Sequence, residues 1–241
     1  MLQLQSFLPT IARGPDGVRL LFNEKNGSSI FHDFGQDGNR QYEWTRNPSL
    51  AAAVDSTAQF KEGTASLSLS SAADYIQASG AANANTCPQT SEWFIGGWFR
   101  PVAVTSVALA GINSGTGTAA QRGWLFVTNA SNVPFFLASN GTTSTLFQMQ
   151  TGAILVNTWV YLAAERVNVS GTLKIFVSVN GVVGNAGGTA YSSTLNLPST
   201  NVVIGISGPN AGCGGFCDML QIRQAQIFGG ANFTAPTSPI P

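Results

Sequence analysis

The stretch NTWVYLAAERVNVSGTLKIFVSVNGVVGN, residues 157–185, decides how the rest of the chain is read. Trp159, Tyr161 and Ala163 alternate with Val160, Leu162 and Ala164, and further on Leu173, Ile175, Val177 and Val179 alternate with Lys174, Phe176, Ser178 and Asn180. Side chains two apart share a face only on pleated backbone, whereas a helix needs a spacing near 3.6. Asn168 to Gly171 supplies a loop between the first two runs. Asn180-Gly181 pairs the two residue types best able to take positive φ in a type I′ hairpin turn. The segment therefore predicts three consecutive antiparallel strands.

On either side of this meander, short apolar runs recur between turns rich in Gly, Asn and Ser: 18–22, 66–70, 93–100, 123–128, 134–138, 145–150, 201–206 and 219–223. Many short strands of this kind indicate a sandwich or barrel. Residues 93–100, WFIGGWFR, carry bulk on both faces, Trp93, Ile95 and Phe99 on one and Phe94 and Trp98 on the other. That pattern predicts an interior strand, covered on both sides, near the centre of a sheet. Ala51 to Ala53 could begin a single helical turn, and no other segment has a helical period. The cluster Gly14-Pro15-Asp16-Gly17 breaks the chain into an arm, residues 1–17, and one domain, residues 18–241.

The same residues carry a likeness. The run NTW, an apolar stretch, Arg166, a short Gly turn, TLKIFV and VNG resembles the core of the laminin G-like, or concanavalin A-like lectin/glucanase, jelly-roll family. Residues 18–22 with Asn26-Gly27-Ser28 and 33–39 resemble its first strand and turn. Residues 61–69 (KEGTASLSL), Asp74-Tyr75-Ile76 and 93–101 resemble the next strands, and 201–206, 215–223 and 232–239 resemble its closing strands and tail. The ending ANFTAPTSP is similar to the version carried by tailed-bacteriophage virion proteins. The resemblance spans residues 18–241 and implies an all-β fold, a two-sheet antiparallel jelly-roll sandwich of the concanavalin A-like kind. It says less about function, because this fold hosts lectins, hydrolases and purely structural proteins.

Composition narrows the classes. A chain of 241 residues is within reach of a single large all-β domain. Charged residues make up only 9% of it, against about 25% in a typical soluble domain. Two readings stay open: a subunit with much of its surface against other subunits, or an uncharged secreted β protein. Eleven basic and eleven acidic residues cancel, and no run of Lys or Arg could neutralise a phosphate backbone. Neither nucleic acid nor a membrane surface is an expected partner. No apolar run approaches the roughly 20 residues that span a bilayer. Residues 1–17 lack a basic stretch ahead of their apolar residues and have Arg13 after them, so they do not read as a secretory signal.

Catalytic constellations are sparse. His32 is the only histidine, with no G-x-S-x-G elbow or H-E-x-x-H helix to accompany it, and it reads as a loop residue beside Asp33. Glycosidases of the resembled family use acids clustered on one strand, whereas Glu24, Glu43, Glu62, Glu92 and Glu165 are scattered. The expectation is a protein that is not an enzyme. Asp33, Asp37 and Asn39 put hard oxygen ligands near Gly38, a set that calcium could use, but the bidentate Glu of an EF-hand loop is missing. No cofactor is expected, calcium at these three residues being the one candidate. The resemblance makes 33–39 a linker and Asp218 a sheet-end residue able to accept from backbone amides. The three cysteines, Cys87, Cys213 and Cys217, cannot all pair internally. Three reduced thiols, or a disulfide between neighbouring subunits formed in an oxidising medium, are the alternatives.

Sugar recognition needs exposed aromatic faces beside directional polar groups. Trp44, Trp124 and Tyr191 lie nearest predicted loops and are the candidate ligand-binding residues, Trp44 foremost; Trp124 has a competing inward orientation, and Trp159 matches a core position of the resembled family. The resemblance implies two functions of different class. One is an accessory or capsid-decoration subunit of a phage virion, made in the host cytoplasm and held to other virion proteins by the arm, with self-association as a further partner. The other is a tail or fibre adhesin that binds host surface carbohydrate. A single small domain with an apolar arm and no fibrous stalk favours the first.

Overall fold

In the computed structural model, residues 18–20, 30–34, 40–46, 53–61, 63–71, 74–78, 87–113, 118–198, 202–205, 211–238 and 240 are described. The arm, residues 1–17, lies outside them. In chain order the strands are β1 (Val18–Leu20), β2 (Ile30–Phe34), β3 (Arg40–Arg46), β4 (Ala53–Ser56), β5 (Ser66–Leu69), β6 (Ile76–Ala78), β7 (Trp93–Arg100), β8 (Val107–Asn113) and β9 (Arg122–Thr128). They continue as β10 (Pro134–Ser139), β11 (Ser144–Gln148), β12 (Val160–Val169), β13 (Thr172–Val179), β14 (Val182–Val183), β15 (Thr189–Ala190), β16 (Val202–Ile204), β17 (Ala211–Gly212) and β18 (Gly215–Arg223). The one helical turn among the described residues is the 3-10 turn Ala119–Gln121.

The fold is a two-sheet antiparallel jelly-roll sandwich. In the first sheet β4, β5, β18, β7, β12 and β13 lie side by side, with β14 and β15 on the far edge of β13 and β1 beside the second half of β18. The second sheet runs β2, β3, β6, β16, β8, β9, β10, β11. Among the described strands only the two-residue β17 pairs in parallel, against β8. The meander forms as its alternation requires. Leu162 to Val169 pair in register with Val179 to Thr172. Ser170 and Gly171 at one turn, and Asn180 and Gly181 at the other, all take positive φ, between 51° and 86°. Gly181 has a second reason to be glycine: a Cβ there would lie 1.9 Å from the carbonyl oxygen of Phe233.

β7 sits between β12 and β18, in the interior of the first sheet, with seven of its eight residues buried. Its inward side chains Trp93, Ile95 and Phe99 meet Trp124, Phe126 and Phe136 of the second sheet. Ring centroids are 5.8 Å apart for Trp93 and Phe136 and 5.9 Å for Phe99 and Phe126. Each such buried ring contributes about 1.5–3 kcal/mol through removal of apolar surface from water. Its outward side chains Phe94 and Trp98 join Tyr161, Ala163 and Met219 in a second apolar layer, roofed by Ile227, Phe228, Phe233, Ala235 and Ile240 of the C-terminal segment. Both faces of the first sheet are therefore covered, one by the second sheet and the other by the chain's own tail.

Two local expectations are corrected. Ala53 opens strand β4, opposite Leu69, instead of a helical turn, because the segment has an unpaired sheet edge at β5 to complete; Ala51 and Ala52 lie outside the described residues. Asp33, read as part of a linker, belongs to β2 and stands opposite Leu20.

Candidate functional site

The aromatic residues singled out from sequence do not form a site. Trp44 and Trp124 have no exposed surface and Tyr191 only 8%, all three within the core between the sheets. Trp44 stands on β3 opposite Phe31 and Ala78, which turns its ring inward. Trp124 packs against Phe126 and Phe136, and Tyr191 meets the edge of Phe147 at 5.8 Å. Without a free ring face none of them can stack on a sugar. Trp159, in contrast, is half-buried on the outer side of the first sheet, 6.5 Å from Phe216, and is not part of the inter-sheet core.

The polar candidates are placed as follows. Asp33 lies on β2, while Asp37 and Asn39 fall outside the described residues, as do Glu24 and Glu62. Among the described residues no three or more His, Cys, Asp or Glu side chains come together as metal ligands. His32 and Glu43 face each other in the β2–β3 register. Glu92 accepts the Asn168 amide at 3.0 Å. Glu165, buried, accepts the amides of Ile227, Phe228 and Gly230, the last two at 2.7 and 3.0 Å. Its carboxylate therefore serves the tail. Asp218 accepts the Lys61 amide at 2.9 Å, as the resemblance implied, but it stands within β18, opposite Trp98, and not at a sheet end.

The three cysteines are free thiols, each at most 4% exposed. Burial pushes Cys87 and Cys213 up to about 12, and Cys217 well above the ordinary thiol value. A disulfide to a neighbouring subunit is thereby corrected: no sulfur is accessible to one, and the thiolate needed to form it is suppressed.

What the structure does bring together is a groove on the outer face of the second sheet, about 340 Å³ in volume. Because Trp124 and Phe126 of β9 and Phe136 and Ala138 of β10 point into the core, Leu125, Val127, Phe135 and Leu137 must point the other way. Cross-strand pairing lines them up in two rows: Leu125, Leu137 and Leu146 in one, Val127, Phe135 and Gln148 in the next. The glycine at 111 makes the floor level, since a Cβ there would lie 2.5 Å from Leu125 Cδ2. Leu146, 57% exposed, forms the outer wall.

Polar groups stand at the ends. Ser106, Thr128 and Asn129 line one of them, the Thr128 hydroxyl already donating to the Val104 carbonyl and accepting the Val107 amide. Asn129 Oδ1 is occupied by the amides of Ser131 and Val133, which leaves its Nδ2 to donate. Arg122, at the start of β9, lines the groove as well, its backbone carbonyl held by Asn196 Nδ2 at 3.0 Å. Its Nε is buried with no hydrogen-bond partner among the described residues, and burial holds the guanidinium below its usual pKa. An apolar floor with one half-buried aromatic ring, ringed by a few donors and acceptors, suits the C–H face and hydroxyls of a sugar.

The sequence carries a signal for this groove. In PFFLA, residues 134–138, Phe135 and Phe136 put bulk on both faces, the same pattern that marked β7 as covered on both sides.

No family model matches the chain, and no curated protein matches it in sequence. Solved structures do match in fold. Domain 4 of AbnA, a GH43 extracellular arabinanase from Geobacillus stearothermophilus, solved in complex with arabinotriose, superposes with a TM-score of 0.59 at 14% identity, over 88% of this chain and 95% of that one. The botulinum neurotoxin serotype D ligand-binding domain in complex with N-acetylneuraminic acid gives 0.55 at 15% identity, over 88% of this chain and 48% of that one. Botulinum neurotoxin type C, whose cell entry depends on interaction with two ganglioside molecules, gives 0.56 at 13% identity, over 89% and 49%. The chain spans about half the length of the toxin chains. These neighbours are β-sandwich domains from carbohydrate-binding proteins.

Proposed function

We propose that the chain is a non-enzymatic carbohydrate-binding domain whose ligand lies in the groove over β8 to β11. The observation that carries this reading is the groove itself: two aligned rows of apolar side chains with a half-buried Phe135, flanked by Asn129, Thr128, Ser106 and Arg122. The sandwich shared with structures solved in complex with arabinotriose and N-acetylneuraminic acid supports it. Glu165, whose carboxylate serves the tail, is not positioned for acid catalysis, in keeping with binding rather than turnover.

Placement on a phage particle, with residues 1–17 as the anchor to other virion proteins and host surface glycan as the ligand, rests on the likeness of the ending ANFTAPTSP to virion proteins. Occupancy of particles by the chain with and without residues 1–17 tests it, and equal occupancy removes the anchor.

A glycan array probed with the intact protein tests the binding site. Leu146→Asp, at an exposed position, should reduce binding to retained glycans by about tenfold or more, near 1.4 kcal/mol, and leave the thermal midpoint unchanged. Undiminished binding by this variant would move the site elsewhere.

A further inference from the structure

Arg122 is out of place in a groove built only to stack on a neutral sugar. Its Nε is fully buried and has no partner among the described residues, although a buried donor left unsatisfied is destabilising. Its position is firmly set. Asn196 Nδ2 donates to the carbonyls of both Ala120 and Arg122, at 2.8 and 3.0 Å. Cys87 Sγ in turn donates to the Asn196 carbonyl at 2.9 Å. Gly123, the next residue, lies close against that same carbonyl and Cys87 Sγ, 2.9 and 3.1 Å from where a Cβ would sit, so only glycine lets the strand run this near them. No carboxylate is among the described residues lining the groove. A guanidinium presents five donors in a planar fork that matches a carboxylate with two parallel bonds. Beside it the floor is apolar, which strengthens such a pair by lowering the local dielectric.

We infer that the groove selects a carboxylated sugar, a sialic or uronic acid, with the sugar's carboxylate paired to the Arg122 guanidinium and its apolar face on Phe135 and Leu137. This rests on the groove being the glycan site and adds which class of glycan it takes. Ser106 and Asn129 then meet the hydroxyls at the far end, which fixes one direction of binding along the groove.

The experiment is a titration of the intact protein with paired probes differing only in charge: sialyllactose against its methyl ester, and an oligogalacturonate against its methyl ester, with arabinotriose as a neutral control. The carboxylated member of at least one pair should bind about tenfold or more tightly than its ester, and raised salt should weaken that member alone. Arg122→Gln should bring the two members of the pair to equal affinity, the acid losing its advantage of about tenfold or more over the ester. Arg122→Lys should restore only part of the preference, because an ammonium lacks the fork. Esters binding as well as acids, with binding still lost in Leu146→Asp, would overturn the acidic preference and leave the groove standing. A preference that survives in Arg122→Gln would overturn the assigned partner. Absence of binding by every probe, charged and neutral, would overturn both readings.

Discussion

Arg166 ties three distant segments together through one side chain. It is 1% exposed, and its guanidinium donates from Nε to the Ser91 carbonyl at 2.6 Å, from Nη1 to Ser193 and from Nη2 to Thr90, while lying 5.8 Å from the ring of Trp93. Those carbonyls belong to the approach to β7 and to the stretch after β15, so a β12 residue sets the ends of both. Arg166→Met should cost about 3 kcal/mol, since charged hydrogen bonds are lost and three carbonyls are left without a donor; Arg166→Lys should recover less than half. The urea midpoint, with an unchanged slope, measures this, and a loss under about 0.5 kcal/mol, no more than an ordinary surface change, would show the carbonyls find other donors. From sequence Arg166 was legible only as one letter of a family-like run. The exposure of aromatic residues was less legible still: in RQYEWTR, Trp44 shares its alternation face with Arg40 and Arg46, so the pattern gives no inward direction, and only the pairing of β3 with β2 and β6 supplies it. Trp159 misled in the opposite sense, because it begins a face that the tail covers only in part.

Among elements, the tail after β18 has the most unusual task. Phe228 and Phe233 stack at 3.7 Å over the outer face of the first sheet, Trp98 Nε1 donates to the Pro236 carbonyl at 2.8 Å, and the Phe233 amide donates to Gly181 at 2.9 Å. The space left beneath is about 10 Å³, too little for any ligand. Glu165 grips the start of this segment through three amides, so Glu165→Gln, which removes the charge and one acceptor, should weaken the grip without disturbing the sandwich. Limited proteolysis should then cut within residues 224–238 about tenfold faster, equivalent to about 1.4 kcal/mol of local opening. Cleavage at the parental rate would mean the stacked rings hold the segment unaided. The meander, β7 and the paired strands β9 and β10 were legible because alternation and turn chemistry are local properties. The short strands β3, β4 and β8 were not, since four to seven residues with small or charged side chains acquire their pairing from neighbours far along the chain. The tail was legible as an ending but not as a lid, for it makes its contacts through irregular backbone that has no period to read.

For the whole molecule, sparse charge and deep burial of ionisable groups combine into one pH response. Cys87 and Cys213 are held at about 12 by burial, from an ordinary 9.0, and Cys217 and Tyr161 are raised by the same cause. In each case the folded protein keeps a proton that the unfolded chain releases. Stability from these groups is therefore fully present below about pH 9 and is lost as pH rises toward 12. Each thiol, once above 9, withdraws about 1.4 kcal/mol per pH unit, so Cys87 and Cys213 together withdraw about 3 kcal/mol by pH 10, with Cys217 acting in the same direction, a large share of the about 5–15 kcal/mol that a domain commands. Urea midpoints should be level from pH 7 to 8.5 and fall steeply by pH 10, and a triple Cys→Ala or Cys→Val variant should flatten most of that fall even if its stability at pH 7 is lower. In the same range a thiol reagent should modify the folded protein only as fast as it unfolds, with all three cysteines reacting together. A rapid stoichiometric burst at pH 8, or midpoints unmoved through pH 10, would contradict thiols that are buried and protonated in the core between the sheets.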